Sequence, residues 1–167
     1  MSEMFLDCSS LEILYLDNFD TSSVENMYHI FENCNLITSL DLSKFNTTLV
    51  RDLGNIFYNC WSLRSINLSN FNTISDLYTD YMFYNCTLES IDLSSFDTSK
   101  VTLMNHMFYN CTFLKSLNLS NIDTHLVKDM EFMFYNCKNL EYINFINAKE
   151  YTGFYYYNMF DGVPEYI

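Results

Sequence analysis

The feature that most constrains this chain is that it repeats itself every 25 or 26 residues. The pair Met4-Phe5 returns as Ile30-Phe31, Ile56-Phe57, Met82-Phe83, Met107-Phe108, Met133-Phe134 and Met159-Phe160, in steps of 26, 26, 26, 25, 26 and 26. A cysteine follows three residues after each of the first six phenylalanines, at Cys8, Cys34, Cys60, Cys86, Cys111 and Cys137. The single short step has a local cause: Cys60 lies three residues before Leu63, but Cys86 only two before Leu88. Self-similarity at such a period is the signature of a stacked-repeat architecture. The expected organisation is one solenoid with repeats 4–29, 30–55, 56–81, 82–106, 107–132 and 133–158, followed by a partial segment 159–167.

Within a unit the apolar spacing changes. Leu114, Leu117 and Leu119 make an L-x-x-L-x-L core whose last two residues alternate with the period of a strand. Val127, Met130, Met133 and Phe134 are spaced by three to four, which predicts a helical or three-ten return. No single unit closes a core, so the units must stack and merge their apolar columns. Leu14, Leu40, Ile66, Ile91, Leu117 and Ile143 form one inward column. Leu16, Leu42, Leu68, Leu93, Leu119 and Phe145 form the next. The fold class expected is an α/β-type repeat: a right-handed leucine-rich-repeat solenoid with one parallel β-sheet face and irregular or helical returns.

Composition narrows the partners. Twenty-one acids against eight bases leave a formal net charge of −13, which argues against nucleic acid and against anionic membrane surfaces. No run approaches the roughly 18 apolar residues of a membrane span. The opening Met1-Ser2-Glu3-Met4-Phe5 lacks the basic and then apolar regions of a secretory signal. Met1 already falls in register with the interior repeats, so the chain is expected to be cut from something longer. With only three glycines and one proline, turning must fall to Asn, Asp, Ser and Thr.

The repeated pattern M-F-x-N-C-x-x-L-x-S-L-D-L-S-x-F-D-T-S-x-V-x-x-M, met closely by residues 82–112, resembles the BspA-type leucine-rich-repeat surface proteins of bacteria and some protists. The similarity recurs in every unit. It implies an extracellular or cell-surface protein used in adhesion and protein–protein contact, and it supplies no catalytic residues. Two stretches depart from the pattern: Asp76 stands where Val is expected, and Asn147-Ala148-Lys149-Glu150 replaces the F-D-T-S segment. Gly162-Val163-Pro164 is expected to break the repeat.

The candidate chemistry is sparse. The cysteines form one column with no C-x-x-C pairs, a pattern that favours buried free thiols over disulfides between rungs and over metal. The column Asp7, Asn33, Asn59, Asn85, Asn110 and Asn136 suits tight turns better than glycosylation, although Asn46, Asn67, Asn85, Asn110 and Asn118 all satisfy the acceptor pattern. Asp20, Asn46, Asn72, Asp97 and Asp123, each followed by Thr, are expected to cap helical turns rather than gather calcium. His29 and His106 share a column and His125 does not. All three are expected to be exposed, and no nucleophile elbow or phosphate loop accompanies them. The expectation is a protein that is not an enzyme and needs no cofactor.

What remains is the sheet's outward face. Tyr15, Asp41, Asn67, Asp92, Asn118 and Asn144 lie between the inward positions, flanked by serines at Ser39, Ser65, Ser90 and Ser116 and at Ser43, Ser69, Ser94 and Ser120. Strand alternation points them together off the concave side. They are the candidate partner-binding residues, for a protein or glycan ligand of polar or basic character. Plain solvation of an exposed sheet is the competing account. A structural protein that stacks end to end is the alternative function. Leu36, Trp61 and Phe113, in the loop after the cysteines, offer a second apolar patch, but they do not share one column, and scattered surface apolars are the expected account.

Overall fold

In the computed structural model, residues 1–71, 78–145 and 155–165 are described. Five very short strands mark successive rungs: β1 (Ser39–Asp41), β2 (Ser65–Asn67), β3 (Ser90–Ile91), β4 (Ser116–Asn118) and β5 (Tyr142–Asn144). They pair in parallel with equivalent residues opposite one another: Ser39 with Ser65, Leu40 with Ile66, Ile91 with Leu117, Leu117 with Ile143. Along each strand the apolar residue turns inward and its neighbours outward, so Leu40 and Leu117 are buried between exposed serines and Asp41 or Asn118. The arrangement is a solenoid-like stack of repeats.

The first four strands are short because a side chain ends each of them. Oδ1 of Asp41, Asn67, Asp92 and Asn118 accepts the N–H of the residue two further on, at 2.9, 3.2, 2.9 and 3.1 Å. Such a local bond stands in for the ladder bond the next residue would otherwise make. The chain then turns back, with Phe45, Phe71 and Phe96 N–H groups bonding the carbonyls of Leu42, Leu68 and Leu93.

Two features correct the expected fold. Among the described residues there is no single continuous sheet: β1 pairs with β2, and β3, β4 and β5 form a separate group. In the first rung, Leu14–Leu16 makes no strand. The break between β2 and β3 falls where one residue is missing between Cys86 and Leu88. Elsewhere the first residue of the sheet side bonds across the rungs, Arg64 N–H to Thr38 O and Lys115 N–H to Glu89 O, both near 2.9–3.0 Å. At the short loop the link is instead made by the Thr87 hydroxyl to Leu63 O, at 3.0 Å.

The second correction concerns the returns, which contain no helix among the described residues. The reason is a pair of left-handed residues in every rung. One column is Glu3, His29, Asn55, Tyr81, His106, Phe132 and Asn158, with φ between 52° and 59°; the other is Asp7, Asn33, Asn59, Asn85, Asn110 and Asn136. A positive φ every fourth residue interrupts any helical run, and the N–H groups between turn to the next rung. His29, Phe31 and Asn33 donate to Gly54, Ile56 and Tyr58 carbonyls at 3.3, 3.0 and 2.8 Å, while Glu32 and Cys34 bond back within the turn. The apolar spacing of three to four is therefore read by successive turns rather than by a helix. Asn tolerates the left-handed region; His, Tyr and Phe do so at a cost on the order of 1 kcal/mol or more.

A third ladder, one bridge wide, connects Asn26, Asp52, Tyr78, Leu103, Asp129 and Tyr155, all in parallel. Between the ladders the core is columnar. Phe5, Phe31, Phe57, Phe83, Phe108, Phe134 and Phe160 stack ring on ring at 5.3–5.7 Å. Thr21, Thr47, Thr98 and Thr124 are buried polar residues of one column. Thr98 resolves its burial by donating to Asp123 O at 2.9 Å and accepting Asp123 N–H at 2.8 Å. Gly162 does not break the backbone pattern: it continues the asparagine column with φ 77°. Asp76 and the Asn147–Glu150 departure lie outside the described residues.

Candidate functional site

The sheet side brings the expected binding residues into one strip. Ser39 lies opposite Ser65, Asp41 opposite Asn67, Ser90 opposite Ser116, and Asn118 opposite Asn144. Ser39, Ser65, Ser90 and Ser116 are exposed, as are Asp41, Asn67, Asp92 and Asn118. Tyr15 is 81% exposed in the strandless first rung, and Asn144 is half-buried. In the last strand, Tyr142 takes the serine position and is also exposed.

Asp41, Asn67, Asp92 and Asn118 have a structural task that their outward position conceals, because each holds its own turn. The backbone N–H and then the hydroxyl of Ser43 hold the Asp41 carboxyl below its ordinary range, and Ser94 does the same for Asp92. These acids stay charged while serving the turn. Along the strip's edge, Lys115 Nζ lies 2.8 Å from Glu89 Oε2, an exposed pair that lowers the Glu89 carboxyl.

The column Asp20, Asn46, Asp97 and Asp123 behaves similarly. Each Oδ1 accepts an N–H two residues on, at 2.9–3.1 Å, so these residues close turns and cap no helix.

The asparagine column forms a side-chain ladder. Asn33 Nδ2 donates to Asp7 Oδ1 at 2.7 Å, Asn59 to Asn33 at 3.0 Å, Asn85 to Asn59 at 2.8 Å and Asn110 to Asn85 at 2.6 Å; Asn136 donates to Asn110. Beside it runs the thiol column, all free. Cys34, Cys60, Cys86, Cys111 and Cys137 are buried, and each Sγ–H donates to the carbonyl of the previous rung's phenylalanine at 3.0–3.2 Å. Burial pushes these thiols up, Cys34 and Cys137 to about 12. They are held in the unreactive form.

The histidines are half-buried rather than exposed, and they do not converge. His29 contacts Glu32 and occupies a left-handed position. His106, also left-handed, stacks between Tyr81 at 4.5 Å and Phe132 at 5.0 Å, and burial lowers its pKa. His125 lies in the turn closed by Asp123, its Nδ1 2.9 Å from Asp123 Oδ1. Among the described residues, no group of three or more His, Cys, Asp or Glu side chains converges as a metal-ligand set.

Two features escaped the reading of the sequence. Tyr58, Tyr84, Tyr109 and Tyr135 stack at 4.5–4.7 Å beside the phenylalanines. The recurring Tyr of M-F-Y-N-C was the available signal. The other is the left-handed column containing His29, Tyr81 and Phe132, whose varied side chains carry no turn signature.

These ladders repeat from rung to rung, and the family comparison repeats with them. A sequence model described as "Mycoplasma protein of unknown function, DUF285" matches residues 1–115 and again residues 79–165. The chain belongs to the DUF285 family. Its two DUF285 matches overlap over 79–115, as expected where the units of a repeat align in more than one register. No curated protein and no solved structure gives a match. No helix among the described residues is long and apolar enough to cross a membrane.

Proposed function

We propose that the chain is a non-enzymatic binding scaffold, a leucine-rich-repeat solenoid of the BspA type from a surface or secreted adhesion protein. Its sheet strip, lying on the concave side of a right-handed coil, engages a protein or glycan of polar or basic character. The observation that carries this reading is the in-register alignment of exposed Ser and Asp/Asn across successive strands. Such a strip offers many short donors and acceptors at the strand spacing of about 4.8 Å. Its ionised Asp41 and Asp92, on a chain of net charge −13, favour a cationic partner.

Because Asp41, Asn67, Asp92 and Asn118 hold turns, the discriminating variant changes their serine neighbours. Labelled oligolysine and oligoglutamate peptides serve as probes. The chain is expected to bind oligolysine at low salt and release it at high salt. Replacing Ser39, Ser65, Ser90 and Ser116 by Lys should weaken oligolysine binding about tenfold or more. A control with Lys at Ser10, Leu36, Trp61 and Phe113 carries the same charge change on the loop edge. Equal losses in both would reduce the effect to net charge, and undiminished binding in the first would place the surface elsewhere.

A further inference from the structure

The one-residue deletion in the fourth unit does more than interrupt the sheet. It leaves the loop of that rung short, and the loops of the rungs on either side stand over the gap. Trp61, Asn85, Cys86, Thr87, Asn110 and Thr112 line a notch of about 320 Å³ there. Trp61 on one side is 55% exposed, and Phe113, next to Thr112 on the other, is 52% exposed. Trp61, which lines the notch, thus leaves about half of its ring surface open to a ligand.

The notch has a definite chemistry. It contains no carboxylate, ammonium, guanidinium or imidazole, and its one titratable group, the Cys86 thiol, is held protonated by burial. A cation, a phosphate or a carboxylate would find no counter-charge. The polar groups present are amides and hydroxyls. Asn85 Nδ2 gives one hydrogen to Asn59 Oδ1 and Asn110 Nδ2 one to Asn85 Oδ1, so each amide keeps a second N–H hydrogen. The Thr87 hydroxyl donates to Leu63 O and keeps its acceptor lone pairs. An apolar side chain would leave these groups without partners.

A ligand with one C–H face for an aromatic ring and several hydroxyls for amides and threonines meets both demands. We propose that this notch is a binding site for a single neutral pyranose ring, laid against Trp61 with its hydroxyls toward Asn85, Thr87, Asn110 and Thr112. The site is separate from the sheet strip and does not depend on it. Being shallow, it binds weakly, with Kd on the order of 1 mM.

Trp61 is the chain's one tryptophan, so its fluorescence reports on this notch alone. The test titrates the intact chain with the methyl glycosides of glucose, galactose, mannose and N-acetylglucosamine, following emission and saturation-transfer difference NMR. At least one glycoside should give a saturable shift of Trp61 emission and saturation-transfer signals. Two variants then locate it. Trp61→Ala should abolish the NMR signals, and insertion of one Ser after Thr87, which restores the full-length loop, should abolish both readouts while thermal unfolding stays cooperative. Absence of a saturable response to all four glycosides overturns the proposal. So does NMR signal that survives in Trp61→Ala, or a response to norleucine amide that exceeds every sugar's.

Discussion

The sheet side and the Phe-Asn-Cys corner of the same rungs differ in how they tolerate irregularity. On the sheet side the ladder is missing in the first rung and broken between β2 and β3. At the corner, ring stacking runs unbroken from Phe5 to Phe160, and the asparagine ladder from Asp7 to Asn136. The corner passes through the fourth unit with its Phe, Asn and Cys contacts intact, because the missing residue falls after Cys86. The lesson is that the corner carries the stack and the sheet side is free to vary. Surfaces released from that duty are where binding specificity is expected to differ between rungs.

That contrast is open to attack, most severely by alkali. Five buried corner thiols have folded-state pKa values raised by burial above the unfolded value of about 8.5. Their stabilising effect is complete below that pH. It is lost as pH rises through the folded values, about 12 for Cys34 and Cys137, by up to about 1.4 kcal/mol per pH unit for each thiol. Denaturant midpoints should therefore fall steeply as pH rises from about 8.5 toward about 12. A flat profile would remove the thiols from the corner's account.

The next effect is steric. Phe83→Ala opens the middle of the ring stack and should cost about 3–5 kcal/mol. Ile91→Ala, on a residue only partly buried in β3, should cost less than half as much. Comparable losses in urea unfolding would erase the distinction between the two sides.

Asn59 separates ladder from backbone. It has φ 58°, donates to Asn33 and accepts from Asn85. Asn59→Ala loses both the ladder and a residue tolerant of left-handed geometry, for about 2 kcal/mol. Asn59→Gly loses the ladder alone and should retain about 1 kcal/mol more stability than the alanine variant. Equal destabilisation would show that φ is not the constraint. Smallest is Asp92→Ala, which removes one exposed turn bond on the sheet side and should cost about 1 kcal/mol or less in the same assay.

Much of this was legible because identical residues at a fixed period must lie above one another. The strand columns through Leu40 and Leu117, the burial of the cysteines and the turning role of Asn33 and Asn59 all followed from spacing and residue type. The returns were misread for a physical reason. Val127, Met130 and Met133 have helical spacing, but that spacing reports only which residues face inward. It does not tell a helix from turns whose N–H groups bond the neighbouring rung. His29, Tyr81 and Phe132 gave no warning of positive φ, since the inter-rung bonds and, for Tyr81 and Phe132, ring stacking on His106 hold them there, not intrinsic preference. The outward Asp41 and Asp92 looked free for a ligand, and only the bonds to Ser43 and Ser94 reveal their second task.

The phenylalanine column has one further consequence. Within the column each ring stacks on the ring above and the ring below in nearly the same geometry throughout. Excising one whole period should bring Phe57 onto Phe108 in place of Phe83, with little record of the loss, whereas removing half a period would wreck the register. The molecule is thus a ruler graduated in units of one ring, and its length is expected to change in whole steps or not at all.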